Sequence, residues 1–179
     1  MSIRILEGRR ALITGGSVGL GYAIAEAFVR AGADVMLCAR GEEELNSSCS
    51  RLSELAQQEQ IVVAEPADIS LRGDVEKLIQ KSNSAFSGID ILINNAAVVG
   101  PIGLSDSVDW EAWRKAIEIN LLAAVDLCRQ VLPGMRSRKS GKILMISAGG
   151  ATSPDPRFSA YASSKAALVA FAATLAEEV

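Results

Sequence analysis

Histidine is absent from all 179 residues. That excludes Ser-His-Asp and Cys-His catalysis and most zinc sites, which draw on imidazole. Cysteine is scarce as well: Cys38, Cys49 and Cys128 make an odd count without metal-type spacing. Such usage argues against a disulfide framework and fits a reducing compartment, so a cytoplasmic location is expected. No run approaches the ~18 consecutive apolar residues of a membrane span, and charges interrupt the apolar residues of the first ten positions, so no membrane partner is expected. Eighteen basic residues against 21 acidic ones leave a net charge of -3 with no basic stripe, which argues against nucleic acid as a partner. The densest positive cluster, Arg136, Arg138, Lys139 and Lys142, falls at a predicted helix end, where it complements the helix dipole more readily than it binds a partner.

Apolar residues are plentiful, at 49% with a mean hydropathy of +0.24. A chain of this length and composition can bury a substantial core, and one domain spanning 1–179 is the default expectation. Strand and helix signals alternate from end to end. Strands are predicted over 11–14, 34–39, 61–64, 89–93 and 142–146. Helices are predicted over 20–31, 42–60, 71–86, from an Asp109 cap to about Met135, and from about Ser159 to the end. Near-continuous apolar strands separated by helices imply an α/β fold: a doubly wound parallel sheet covered on both faces, in three layers.

Two patterns carry chemistry. Thr14-Gly15-Gly16-Ser17-Val18-Gly19-Leu20-Gly21 follows the first strand and opens the first helix. Unpaired N–H groups at a helix start, together with the helix dipole, suit a pyrophosphate. Gly15 allows the tight turn, Gly19 a close approach of backbone to phosphate, and Gly21 close packing of helix on sheet. The alternative is a glycine-rich turn without a ligand. The second pattern is Tyr161-Ala162-Ser163-Ser164-Lys165. One helical turn puts Tyr161 and Lys165 on the same face, where an adjacent ammonium favours the phenolate and lets a tyrosine trade a proton with an alcohol or ketone.

With an Asn-Asn-Ala motif at Asn94, Asn95 and Ala96 and a helix asparagine at Asn120, these patterns stand in the order found in the short-chain dehydrogenase/reductase superfamily, which the chain resembles over essentially its whole length. The resemblance implies a Rossmann-like fold and an NAD(P)-dependent oxidoreductase that moves hydride between nicotinamide and a secondary alcohol or ketone. Tyr161 would be the general acid/base. Lys165 would assist it and bind the nicotinamide ribose, and Asn120 would position a water linking the lysine to solvent, unless it is simply a satisfied core asparagine. Gly15, Ser17, Val18, Gly19, Leu20 and Gly21 would contact the cofactor, as would Asn94 and Ala96 at the end of the fourth strand. Asp68 would accept from the adenine amino group with the Ile69 N–H beside it, or else serve as a turn aspartate. Arg40 follows an uncharged Ala39 where an acidic residue would select NAD, so NADP(H) is favoured over NAD(H); the alternative is a solvated loop arginine.

The chain departs from the family pattern in three places. Ala148 occupies the usual place of the catalytic serine, thirteen positions before Tyr161. Ser147 is the candidate in its stead, ahead of Ser153 and Ser159. Ala97 stands where a glycine normally completes the Asn-Asn-Ala motif. Val179 ends the chain inside the Tyr161 helix, so the usual C-terminal strands and substrate loop are expected to be absent. That motivates an alternative function, a nucleotide-binding homologue without turnover. The family's contact between its two long helices implies a homodimer or homotetramer.

Overall fold

The computed structural model describes residues 4–57, 59–153 and 155–179. Five strands, β1 (Arg10–Thr14), β2 (Asp34–Ala39), β3 (Val62–Pro66), β4 (Ile91–Asn94) and β5 (Lys142–Met145), form one sheet in the order β3-β2-β1-β4-β5. Every pairing is parallel. Because the strand order reverses beside β1, the crevice beyond the carboxyl ends of β1 and β4 is the place where open α/β sheets receive ligands.

The period of two along β1 divides the core. Ala11 and Ile13 point into a cluster with Val35, Leu37, Ile91 and Ile93, covered by Ala25 and Val29 of α1 (Gly19–Arg30) and Leu45 and Leu52 of α2 (Glu42–Leu55). Leu12 points the other way, with Met36 and Leu92, onto Val75 and Leu78 of α3 (Arg72–Phe86) and Leu127 and Val131 of α5 (Ala123–Arg138). Each fully buried leucine contributes about 1.5–3 kcal/mol relative to exposure, so the two clusters together hold the strand register.

Two helices differ from the sequence expectation. The second helix stops at Leu55 rather than at residue 60; residue 58 lies outside the described residues. Glu59 takes φ 80°, and Gln60 turns back to donate to the carbonyls of Val29 and Ala33 at 3.0 and 2.9 Å. Gln60 thereby adds a second bond to the Val29 carbonyl, which already accepts from the Gly32 N–H at 3.0 Å, and holds the Ala33 carbonyl in the turn between α1 and β2. The long helix after Asp109 is divided into α4 (Trp110–Ile117), a π-helical turn (Glu118–Leu122) and α5. Asp109 does cap it, accepting from the Ala112 N–H at 2.7 Å. The last helix, α6 (Ser159–Glu178), packs beside β5, whose Leu144 is 44% exposed at the outer edge of the sheet.

Arg138 of the basic cluster donates to the Ile89 carbonyl at 2.6 Å. Lys139 closes α5 in the left-handed conformation. Arg138 therefore ties the end of α5 to the segment that enters β4, and Lys139 ends the helix.

Candidate active site

Thr14 ends β1 fully buried, and its Oγ1 accepts from the N–H groups of Asn95 and Ala96, both at 3.1 Å. Asn95 returns the contact: its Nδ2 donates to the Thr14 and Gly15 carbonyls at 3.0 and 3.1 Å. The turn after β1 is thus bolted to the turn after β4. Gly15 takes φ 63°, where a side chain is strained, and a Cβ there would press on Asn95 and the Ala96 backbone. At Gly21 a Cβ would collide with the Gly15 carbonyl oxygen. α1 therefore begins against the turn itself, and Val18 at its N-cap offers no side-chain bond to the first N–H groups. They remain available to an anion.

A cavity of about 450 Å³ opens over this turn. Gly15, Ser17, Val18, Arg40, Asp68, Ile69 and Ala96 line it, together with Glu44, Asn95, Ala97 and Val98. Ala97 keeps a negative φ, so alanine is accommodated where the family has glycine. The Arg40 guanidinium is exposed and makes no ion pair among the described residues, with Glu44 on the same cavity wall. Cys38 also lines the cavity, but as an inert neutral thiol: burial, reinforced by the charges of Glu65, Asp74 and Asp68, pushes it up to about 12.

A second group of residues gathers at the end of β5. The β4–β5 ladder continues one step, with the Ile146 N–H donating to the Asn94 carbonyl at 2.9 Å. The carbonyl of Ile146 then accepts from Lys165 Nζ at 2.7 Å. Lys165 is 2% exposed, and burial pulls its ammonium below the usual lysine range. Its Nζ lies 5.8 Å from the centre of the Tyr161 ring. Ser147 follows directly, and its Oγ is sealed from solvent without a hydrogen-bond partner.

Asn120 sits in the π-helical turn, 2% exposed. Its Oδ1 accepts from the Val98 N–H at 2.8 Å, and its Nδ2 donates to the Val98 carbonyl at 2.8 Å and to Ser164 Oγ at 2.9 Å. Ser164 Oγ donates in turn to the Tyr161 carbonyl at 2.8 Å. The cavity-lining Val98 is in this way tied to the helix that carries Tyr161 and Lys165. A π turn widens the helix locally and commonly marks a functional position.

The family profile described as short chain dehydrogenase matches residues 9–179. The chain belongs to this family. It is 37% identical over 176 residues to a short chain dehydrogenase of Pseudocercospora fijiensis, covering 97% of this chain and 56% of that protein. It is 36% identical over 175 residues to a fatty acyl-CoA reductase of Acinetobacter baylyi, covering 97% and 58%. The crystal structure of L-sorbose reductase from Gluconobacter frateurii, complexed with NADPH and L-sorbose, superposes with a TM-score of 0.93 at 35% identity, over 100% of this chain and 66% of that one. The chain thus spans between about half and two thirds of the length of these short chain dehydrogenase relatives.

Of the residues singled out from sequence, the cavity gathers Gly15, Ser17, Val18, Arg40, Asp68, Ile69 and Ala96. Gly19, Leu20 and Gly21 form the adjoining first turn of α1. Tyr161, Lys165, Ser147 and Asn120 do not line that cavity; they form the second group, on the same carboxyl edge of the sheet. Asn94 lies buried behind both, its Nδ2 directed at Cys128 Sγ and Met145 Sδ at 3.5 and 3.3 Å. Both Nδ2 donations of Asn120 are taken, so its side chain keeps no donor for a link to Lys165. Ser159 Oγ accepts from Trp113 Nε1 at 3.1 Å, and Ser153 is exposed. The sequence motifs include Thr14 and Asn95 but give neither a role. The signal was there: neighbouring residues of a strand end point to opposite sides, so a buried Asn94 directs Asn95 toward the crevice.

Proposed function

We propose that the chain binds a nicotinamide dinucleotide, NADPH in preference to NADH, and serves an oxidoreductase acting on a secondary alcohol or ketone. The observation that carries this reading is that the bolted glycine turn and the Tyr161–Lys165 group stand on the same carboxyl edge of the sheet. The residues present fit the cofactor. Uncapped N–H groups of α1 suit its pyrophosphate, the cavity beside them suits an adenosine, and the unpaired Arg40 suits a 2′-phosphate. The related L-sorbose reductase was crystallised with NADPH, which supports the same choice.

When bound, the dinucleotide supplies the hydride donor or acceptor. Tyr161 gives or takes the proton at the substrate oxygen. The Lys165 ammonium, held by Ile146 beside the Tyr161 ring, would stabilise the phenolate and would hold a ribose hydroxyl of the bound cofactor. Ser147 is the serine proposed to steady the substrate oxygen in place of Ala148: its hydrogen bond is unmade, and rotation about its Cα–Cβ bond would have to bring the hydroxyl out of its sealed position. Asn120 holds the Tyr161 helix against the cofactor-side loop through Ser164 and Val98.

A second copy of the chain is proposed to cover the outer faces of the π turn, α5 and α6. Leu122 in the π turn and Val169 in α6 are 53% and 43% exposed, consistent with a homodimer or homotetramer. No helix among the described residues is long and apolar enough to cross a membrane.

The test is NADPH consumption with a panel of ketones, and the reverse reaction with secondary alcohols. Turnover is expected to fall by about 10²–10⁴ in Tyr161→Phe while NADPH binding persists. Binding without turnover across the panel, or turnover indifferent to Tyr161→Phe, would overturn the assignment.

A further inference from the structure

Lys115 on α4 brings its Nζ to 2.6 Å from Ser70 Oγ, and that hydroxyl stands 2.6 Å from Asp68 Oδ1. A cation, a hydroxyl and a carboxylate thus run in a line to the cavity wall, of which Asp68 is part. The direction of each bond follows from the groups themselves. An ammonium only donates, so Ser70 must accept from Lys115, and its single hydroxyl proton is committed to Asp68. The Ser70 N–H also donates to Oδ1, at 2.9 Å. Oδ1 is therefore doubly occupied, while Oδ2 accepts from no described residue.

The surroundings support the same arrangement. The Asp68 N–H donates to Asp74 Oδ2 at 2.9 Å, which pins the backbone at this point. Burial works against the charge on Asp68, but the two Ser70 bonds and the nearby Lys115 and Arg40 charges prevail and hold its carboxyl below the usual range. Lys115 also lies 3.6 Å from Glu118 Oε2. It thereby joins the helix before the π turn to the loop after β3.

We infer that Lys115 and Ser70 are positioning residues for nucleobase recognition: they commit one oxygen of Asp68 and leave the other open to a base bearing an exocyclic amino group. Adenine meets that requirement. Hypoxanthine presents a carbonyl at the same position, an acceptor facing an acceptor, and is disfavoured. The inference rests on the reading of the cavity as the adenosine end of the proposed cofactor site.

The experiment is calorimetric titration of the 179-residue chain with NADPH and with its hypoxanthine analogue, in wild type, Ser70→Ala, Lys115→Met and the double variant. Thermal unfolding of each variant verifies that it is folded. The wild type is expected to prefer NADPH. Ser70→Ala is expected to narrow the ratio of the two dissociation constants by about fivefold, the worth of one ordinary hydrogen bond. Lys115→Met narrows it less, and adds less still in the Ser70→Ala background, where only its charge near Asp68 is left to lose. A ratio unmoved in either single variant, or a Lys115→Met effect undiminished without Ser70, overturns the relay. Absence of binding to both dinucleotides in the wild type overturns the cofactor reading and the relay with it.

Discussion

Lys165 Nζ donates to the Ile146 carbonyl oxygen at 2.7 Å, which ties the helix carrying Tyr161 to the end of β5. The lysine is buried, and burial lowers its pKa, so the charged form costs the fold free energy that an apolar residue would not. A cation retained under that cost has a use elsewhere. Lys165→Met should therefore leave stability within about 1 kcal/mol of wild type, because the relieved burial cost offsets the unpaired Ile146 carbonyl. Turnover should fall by about 10²–10⁴. Urea denaturation and steady-state kinetics on the same preparation check the two halves.

Asn120 should behave in the opposite way. Its truncation to alanine strands the N–H and carbonyl of Val98 and removes the bond that Ser164 Oγ accepts, leaving that hydroxyl only its donation to Tyr161. Leaving such buried groups unpaired costs roughly 2–4 kcal/mol, which should appear as a lowered urea midpoint with little change in slope.

Arg10 and Asp90 predict a pH dependence. Asp90 is 6% exposed, and Arg10 reaches it with Nε at 2.7 Å and Nη2 at 2.8 Å. Burial would raise the Asp90 carboxyl, but the hydrogen bonds and charge of Arg10, with Arg138 behind, hold it below the usual carboxylate range. A carboxyl lowered in the folded state stabilises the fold fully above the unfolded pKa, and that contribution is lost as pH falls through the folded value. Stability should thus decline on acidification below the ordinary carboxylate pKa. Asp90→Asn should lower the plateau near neutrality, by about 3 kcal/mol, and flatten the decline. Thermal melts between neutral and strongly acid pH measure both.

Arg40 should govern the choice between the two dinucleotides. Without its guanidinium, Glu44 would be left as a like charge on the same wall as a 2′-phosphate. Arg40→Ala is expected to weaken NADPH binding by about tenfold or more, the worth of a charge-assisted contact, and to leave NADH within about twofold. Paired titrations give the ratio directly.

The layers of the fold were legible in the sequence because apolar strands and helices alternate with little ambiguity: β2 begins and ends where the pattern places it, at Asp34 and Ala39. The end of α2 was not, because it depends on Gln60 reaching Val29 and Ala33 across 31 and 27 positions. The π turn was equally hidden. One extra residue per turn leaves no mark in a periodicity of 3.6, and only the bonding of Asn120 to Val98 and Ser164 reveals why it is there. The glycine turn could be read in part, since Gly15 and Gly21 occupy recognisable spacings. Thr14 and Asn95, which bolt it, act through backbone atoms 80 to 82 positions away; alternation after Asn94 gives the direction of Asn95, but no local pattern names the partners. The burial of the Ser147 hydroxyl belongs to the same class: sequence placed it one step from Ala148, and only the packed end of β5 shows that its hydrogen bond is unmade.

The most direct measurement is a calorimetric titration of the chain with NADPH, run beside Gly21→Ala, in which a methyl group is forced against the Gly15 carbonyl. The account predicts saturable binding of one NADPH per chain by the wild type and binding weakened by at least about tenfold in Gly21→Ala. A wild-type chain that shows no saturable heat, or a variant that binds as tightly as wild type, would contradict it.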